Sequence, residues 1–381
     1  MKKSLLRSIF VLTVFSTQNL MAQQDAAQFL KAGKENVNSL MTSYMGPFMK
    51  GLGLGLTDGW NNNTAKPLGK GGFDLRFNVG VCMVPTEDQT YNINNAFVNV
   101  PGSPFQWKPT ADLASKQSTM FGPSEPAKGA MELYGVMKNP VTGLDTNVLI
   151  NRLQPPPGSG VPYSVTLPSV QLSFGIVKST EIMLRFVPQV ALDKVSIGTW
   201  GIGAKHSLKQ WIPVISKQQI WDWSAFGSYS VFNSEYAFGN NGLKPDADAY
   251  NPNPLDYSNQ KLTMSGYGWS LGTIVSAKLL FFTPYLGINY ASSSMNLKME
   301  GNYPVSIPND EISTTHPEYS KVSNLKDPVS IDGVVSGFRG NAGVRLKFLL
   351  LVIGADYSIG AYNTATISVG LNLQSIVPFK L

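Results

Sequence analysis

The sequence is poor in the residues that carry most enzyme and metal chemistry, since its 381 residues include one cysteine and two histidines. Cys82 alone excludes an internal disulfide. His206 and His316 lie far apart, and neither has a cysteine or carboxylate at metal-ligand spacing on a shared element. A nucleophile elbow is not predicted either, because the one Gly-x-Ser-x-Gly stretch, GWSLG (268–272), lies inside an alternating segment and not at a strand-to-helix turn. The sequence therefore predicts no catalytic residue, no metal site and no cofactor.

Long apolar runs are confined to the N-terminus. Residues 1–22 carry Lys2, Lys3 and Arg7 ahead of an apolar run, which predicts a cleaved signal peptide. No later run reaches the roughly 18 apolar residues of a membrane helix. If the mature chain enters a membrane, it must therefore cross as a β-barrel.

Charge is scarce too, because only 14% of the residues are charged. A typical soluble domain has about 25%, so much of this surface is expected to face something other than water. Removal of the three leader cations lowers the formal net charge from +6 to +3. Basic residues are not clustered, so we expect no nucleic-acid partner.

From residue 72 onward, apolar side chains alternate with polar or small ones. This period of two predicts strands with one apolar face. The clearest segments are 73–82, 170–176, 182–186, 221–231, 267–275, 334–346, 351–359 and 367–374. In a soluble sandwich such faces meet in a core, whereas in an outer-membrane barrel they face lipid and the polar faces line the lumen.

Three features favour the barrel: strands of nine to fifteen residues, aromatic residues near strand ends, and short links that alternate with long polar ones. Counting in this way gives ten strands, and residues 90–100 and 129–137 are expected to add two. We therefore expect an all-β, antiparallel transmembrane β-barrel of about 12 strands, with 10–14 open. The barrel is assigned to residues 72–381, and both termini are placed on the periplasmic, short-turn side.

Residues 24–51 predict the one convincing helix, followed by a Gly- and Asn-rich linker up to residue 71. Its apolar face is poorly placed in water, which favours a plug inside the barrel over a frayed terminus. The candidate plug residues are Phe29, Leu40, Met41, Tyr44 and Phe48. We assign residues 23–71 to this plug and linker.

The stretch GTWGIGAKHS (Gly198–Ser207) superficially resembles a phosphate-binding loop. Such a loop needs Gly-Lys-Ser/Thr between a strand and a helix. Here Ala204 separates Gly203 from Lys205, and the flanks alternate. The glycines are expected on the lumen face of a strand, where they leave room for the plug or ease strand coiling.

The alternation along the strands also places charged side chains on the polar face, which lines the lumen. The candidate lumen-lining residues are Asp74, Arg76, Arg185, Lys205, Lys209, Asp222, Arg339, Arg345 and Asp356, with Glu181 and Lys347 beside them. Two interpretations stay open. These charges pair across the lumen and hold the strands in register, or their mild cationic excess favours an anionic solute.

Three stretches carry a resemblance: GWNNNTAKPLGKGGFDLRF (59–77), GIGAKHSLKQWIP (201–213) and GLNLQSIVPFKL (370–381). With the leader and the helix, the chain resembles a family of outer-membrane β-barrel proteins from Bacteroidota over nearly its whole mature length. More loosely, a plug ahead of a long-looped barrel is similar to FadL-type channels for hydrophobic compounds.

The alternation, the plug and the resemblance together predict an outer-membrane protein in contact with lipid that acts as a passive channel or transporter for a small solute. The lumen charges favour an anionic solute, and the resemblance to FadL-type channels implies a hydrophobic one. A second hypothesis is a structural or partner-binding barrel that acts through its extracellular loops, with envelope proteins as partners. A third is an envelope lipid-modifying enzyme, since catalytic triads are recognised by geometry and not by sequence position.

Overall fold

The computed structural model describes residues 29–30, 32–61, 63–99, 101, 105–138, 145–160, 162–192, 195–239, 242–308 and 320–374. The predicted signal peptide and His316 lie outside these residues. Three α-helices have both ends within these residues: α1 (Gly33–Thr57), α2 (Ile93–Ala96) and α3 (Pro213–Ser216). Phe29 and Leu30 are also helical, and two 3-10 helices cover Thr86–Asp88 and Lys209–Trp211. None of the helices in these ranges is both long enough and apolar enough to cross a membrane.

Most of the described chain is β-structure. In chain order the strands are β1 (Phe73–Met83), β2 (Thr90–Asn92), β3 (Phe105–Pro109), β4 (Lys116–Ser118), β5 (Met131–Lys138), β6 (Asp145–Leu153), β7 (Ser164–Gly175), β8 (Thr180–Leu192), β9 (Val195–Ser207), β10 (Trp221–Ala237), β11 (Lys261–Ala277), β12 (Phe282–Glu300), β13 (Asn302–Pro308), β14 (Ser320–Lys326), β15 (Val329–Phe348), β16 (Leu351–Ile359) and β17 (Thr364–Leu373).

Ten of these strands close an antiparallel barrel in the order β1-β17-β16-β15-β12-β11-β10-β9-β8-β7. Closure is made by β1, in which Phe77 lies opposite Val369 of β17 on one side and Val170 of β7 on the other. With both sides of every wall strand paired to a neighbour, the sheet ends at no open edge. The barrel architecture predicted from the alternation is thus confirmed.

The prediction of about 12 wall strands is wrong. Within residues 90–99 the only strand is β2, which pairs with β4, and it is followed by helix α2. Residues 129–137 contribute to β5, which pairs with β3 and β6 in a separate three-stranded sheet. A period of two marks a half-buried strand wherever its partner lies, so the pattern does not distinguish wall strands from strands of a loop insertion.

The two rims of the barrel differ. At one end of the barrel the strands are joined by the short links 176–179, 278–281 and 349–350. Strand β1 begins and strand β17 ends at the same end of the barrel, which we call the short-turn rim. The link between β9 and β10 also lies there and holds α3. The opposite, long-loop rim carries residues 84–163, whose described part we call the loop cap, and the β13–β14 hairpin.

The outward face of the wall is apolar. Phe338 is 72% exposed and Ile367 is 63% exposed, while the alternate positions Arg339 and Ser368 are buried in the lumen. This is the reverse of a soluble sandwich, in which the apolar faces meet one another.

Helix α1 lies inside the barrel, where it packs against β1, β7, β10, β11, β12 and β15. It continues past residue 51, where a linker was expected, to Thr57. Glycines let the backbone approach the wall closely, because a Cβ on Gly53 would lie 2.2 Å from Ser293 Oγ. The prediction that the helix ends at residue 51 is therefore wrong, and packing against the wall stabilises a glycine-rich turn that isolated helices disfavour.

Candidate functional site

The candidate site is the lumen itself, which is filled by the chain's own N-terminal part. Of the predicted plug residues, four are buried and Phe48 is partly buried against the same cluster; the buried ones are Phe29, Leu40, Met41 and Tyr44. Tyr44 also joins the helix to the loop cap, since its hydroxyl donates a hydrogen bond of 2.9 Å to Pro157 O. The amide of Met120 donates to Tyr44 O at 3.0 Å.

A second contact between helix and loop cap lies beside the long-loop rim. Lys50 Nζ lies 3.1 Å from Asp88 Oδ2, and the hydroxyl of Tyr362 donates a hydrogen bond to the same carboxylate. Burial, and the hydrogen bond to Asp88, raise the pKa of Tyr362. The turn between β16 and β17 is thereby joined to the loop cap.

Arg339 receives the C-terminus of the helix. Its Nη1 donates to Leu54 O at 3.3 Å and to Thr57 Oγ1 at 3.2 Å. Its Nη2 lies 3.7 Å from Asp58 Oδ1. A cation at this end of a helix meets unsatisfied carbonyls and the negative end of the macrodipole, so Arg339 stabilises the point where helix gives way to extended chain.

Beyond the helix, residues 58–61 and 63–71 run along the lumen to the short-turn rim, and we call them the inner polar segment. Trp60 is buried, with the Arg185 guanidinium 4.1 Å from its ring centroid. A Cβ placed on Gly201 or Gly203 would come within 2.8 or 2.9 Å of the Trp60 ring. Gly201 and Gly203 of GTWGIGAKHS therefore make room for this indole, which is the first of the two roles predicted for the glycines.

Lys205, from the same stretch, binds the backbone of the inner polar segment. Its Nζ is fully buried and donates to Asn61 O and to Thr64 O, each at 3.2 Å. Glu181 Oε2 lies 3.4 Å from that Nζ and accepts a hydrogen bond of 3.0 Å from the amide of Leu68. One buried ion pair thus holds two points of the segment.

Arg76 and Asp74 form a second buried pair, with two hydrogen bonds of 2.9 Å. Arg76 Nη1 also donates to Asn63 Oδ1 at 2.7 Å. The Asn63 amide donates to the Tyr285 hydroxyl at 2.7 Å, and that hydroxyl donates to Asp356. Asn63 therefore connects a charge on β1 with a charge on β16, which is separated from β1 by one strand of the wall.

The remaining candidate lumen residues lie near the short-turn rim. Arg345 is buried, with its Nη2 3.8 Å from Asp74 Oδ2. Lys209 belongs to a 3-10 turn after β9 and not to the wall, and its Nζ lies 3.4 Å from Asp222 Oδ1. His206 also lies at this rim, where its ring bonds to Thr180, Gln210 and Trp211 (2.8, 2.9 and 2.9 Å).

The lumen charges therefore meet the inner polar segment as well as one another. Sequence reasoning missed five residues that make these contacts: Asp58, Trp60, Asn61, Asn63 and Thr64. They were assigned to a linker. The one signal against that assignment is the tryptophan followed by asparagines, which is an unusual composition for a linker. Among the described residues, no group of three His, Cys, Asp or Glu side chains is arranged to hold a metal ion.

Several solved structures are similar at low identity. The translocator domain of the autotransporter NalP from Neisseria meningitidis matches with a TM-score of 0.28 and 9% identity, over 88% of this chain and 96% of that one. The outer membrane transporter YddB from Escherichia coli gives 0.27 and 8%, over 78% and 43%. The attachment invasion locus protein Ail of Yersinia pestis gives 0.23 and 9%, over 51% and 91%.

No curated protein is significantly similar to the sequence. A family model does match, and it spans residues 1–373, which include the inner helix, the inner polar segment and every wall strand. The chain therefore belongs to the family of unknown function DUF6588.

Proposed function

We propose that this protein is an outer-membrane barrel that acts as a passive channel for a small solute and is closed by its own N-terminal part. The apolar outer face of the wall supports a lipid environment, with the long-loop rim outside the cell and the short-turn rim in the periplasm. The inner helix and the inner polar segment together form the plug.

One observation carries the channel proposal. The lumen is filled by the N-terminal part of the chain, which is not a wall strand, and polar contacts bind the inner polar segment to the wall. A barrel of about eight strands is just wide enough for its own side chains to fill, so ten strands leave space that a plug occupies. Hydrogen bonds and ion pairs to the wall can be exchanged for water, which suits a plug that moves.

The residues that line the lumen wall also support a class of solute. Among the wall residues whose side chains are described, five cations and three carboxylates are buried: Arg76, Arg185, Lys205, Arg339 and Arg345, and Asp74, Glu181 and Asp356. Around the helix the lumen wall is instead apolar, with Met295, Leu297 and Ile331. An open lumen would thus present an apolar half and a cationic half, which favours a solute with apolar and anionic parts.

The second candidate is a barrel that binds a partner protein through its loops. The loop cap favours it, because it has sheets of its own, β2–β4 and β3–β5–β6, beyond what closing the lumen requires. In that case the plug is a permanent core and no solute crosses.

Flux into liposomes distinguishes the two. We expect slow solute uptake through the intact protein and faster uptake through a variant that lacks residues 23–58. A variant with β13–β14 replaced by a short turn is the matched control, because it loses loop mass and keeps the plug. Heat-modifiable migration on a gel checks that each variant is folded. If folded protein lacking residues 23–58 passes no solute, the channel proposal fails and the result favours the partner-binding barrel.

A further inference from the structure

A cavity of about 250 Å³ lies at the short-turn rim, between the inner polar segment and the wall. Four cationic side chains line it: Lys66 from the segment, and Lys278, Arg345 and Lys347 from the wall and its turn. Among the described lining residues the one carboxylate is Asp222, and Lys209 Nζ lies 3.4 Å from its Oδ1. The cavity is therefore strongly cationic.

Arg345 differs from the lysines of this cavity, because its charged group is buried and not solvated. Its side chain is more than nine-tenths buried, and its Nε and Nη2 have no hydrogen-bond acceptor in the described part of the chain. Asp74, at 3.8 Å, is already bound by two hydrogen bonds to Arg76. A buried guanidinium that lacks acceptors is destabilising, and because Arg345 lines this cavity, an anion bound there would offset its charge.

The edge of the same cavity is apolar. Leu280 and Leu349, at the tips of two adjacent turns, are 89% and 93% exposed and line it. Next to them Phe281 and Phe348 stack, with ring centroids 5.4 Å apart. A ligand whose anionic group lies on the cations can therefore bury a short apolar chain against these leucines.

We propose that this cavity is a binding site for a phosphate or carboxylate group carried on an apolar chain. The anion contacts Arg345, Lys347 and Lys278 of the barrel and Lys66 of the inner polar segment. This deepens the proposed function by locating a binding site for the solute at the short-turn rim, and it rests on that function only for the role of the site. Binding is measured without transport, so a failed flux assay and a failed binding assay are distinguishable.

Calorimetric titration of the full-length mature protein in a non-ionic detergent at low salt tests the site. The probes are hexyl phosphate, inorganic phosphate and hexanol. Hexyl phosphate is expected to bind at least about tenfold more tightly than inorganic phosphate, since a buried chain adds roughly 0.8 kcal/mol per methylene, and hexanol is expected to give no heat. Binding of both phosphates with equal affinity would identify a free-anion site and overturn the amphiphile proposal.

The variants locate the site. Arg345→Gln is expected to weaken hexyl phosphate binding at least about tenfold, the loss typical for a charge-assisted hydrogen bond. Lys217→Gln is the matched control, because it removes an exposed cation from the same rim outside the cavity. Should Arg345→Gln fail to fold, the exposed pair Lys66→Gln/Lys278→Gln carries the test and must weaken binding. Equal losses in Lys217→Gln and the cavity variants, or no heat for the wild type up to about 10 mM ligand, would overturn the proposal.

Discussion

Lys205→Met tests how tightly the inner polar segment is held. The substitution keeps the side-chain length but removes the ion pair to Glu181 at 3.4 Å and the two hydrogen bonds to Asn61 O and Thr64 O. At that distance and an effective dielectric constant of about 20, the Coulomb energy is about 5 kcal/mol. Because the substitution leaves the Glu181 carboxylate buried without its cation, we expect it to cost about 3–5 kcal/mol.

The cost is expected to act locally, because these contacts join the segment to the wall and not the wall strands to one another. Hydrogen exchange followed by mass spectrometry on protein in lipid measures it. Amides of the inner polar segment are expected to exchange about 100- to 3000-fold faster, as tenfold corresponds to about 1.4 kcal/mol. Peptides from the loop cap are the internal reference and should keep their rates.

The double variant Lys205→Met/Glu181→Gln provides the decisive comparison. It buries no ion at this point, so its destabilisation is expected to be smaller than the sum of the two single effects. Additive losses, or exchange rates in Lys205→Met within about twofold of the wild type, would refute the reasoning that one buried pair holds the segment.

Three further predictions concern packing. Gly203→Val should displace Trp60, since even a Cβ at this position would lie 2.9 Å from the indole ring, and the tryptophan fluorescence maximum should shift to the red. Gly227→Ala is the control, because a Cβ there would have its nearest neighbour at 3.5 Å, and it should leave the spectrum unchanged. Cys82, which is buried in β1, should stay unlabelled by maleimide in intact vesicles and react after unfolding. Tyr362→Phe should weaken the loop cap by about 1.5–3 kcal/mol, because it removes a hydrogen bond to a carboxylate, and limited proteolysis of the cap should be faster.

The barrel was predictable because outward-facing and lumen-facing residues must alternate along a barrel strand. Segments such as 351–359 and 367–374 carry this period without interruption, and β16 and β17 match them within three residues at either end. The two extra strands were predicted wrongly because periodicity reports which face of a strand is buried and says nothing about its partner. That partner is set by contacts distant in sequence.

The candidate site was predictable in part. Parity placed Arg76, Arg185 and Lys205 in the lumen, and the glycines around Lys205 predicted a close neighbour. The identity of that neighbour was missed because Trp60 and Asn63 have no periodicity, and irregular polar chain resembles a linker. Only the fold brings those residues to the wall cations. The extension of the helix to Thr57 was missed for the related reason that packing overrode glycine's low helix propensity.

A reversible cross-link between plug and wall tests the central claim most directly. A Cβ placed on Gly55 would lie 3.6 Å from Leu167 Cβ, which is within the about 3.5–4.5 Å that a disulfide spans. In a Cys82→Ala background, we expect Gly55→Cys/Leu167→Cys protein to pass solute into liposomes when reduced and none when oxidised, while Gly55→Cys alone should not respond to oxidant. Equal flux through the oxidised and reduced cross-linked protein would contradict the account, because solute would then cross without movement of the plug.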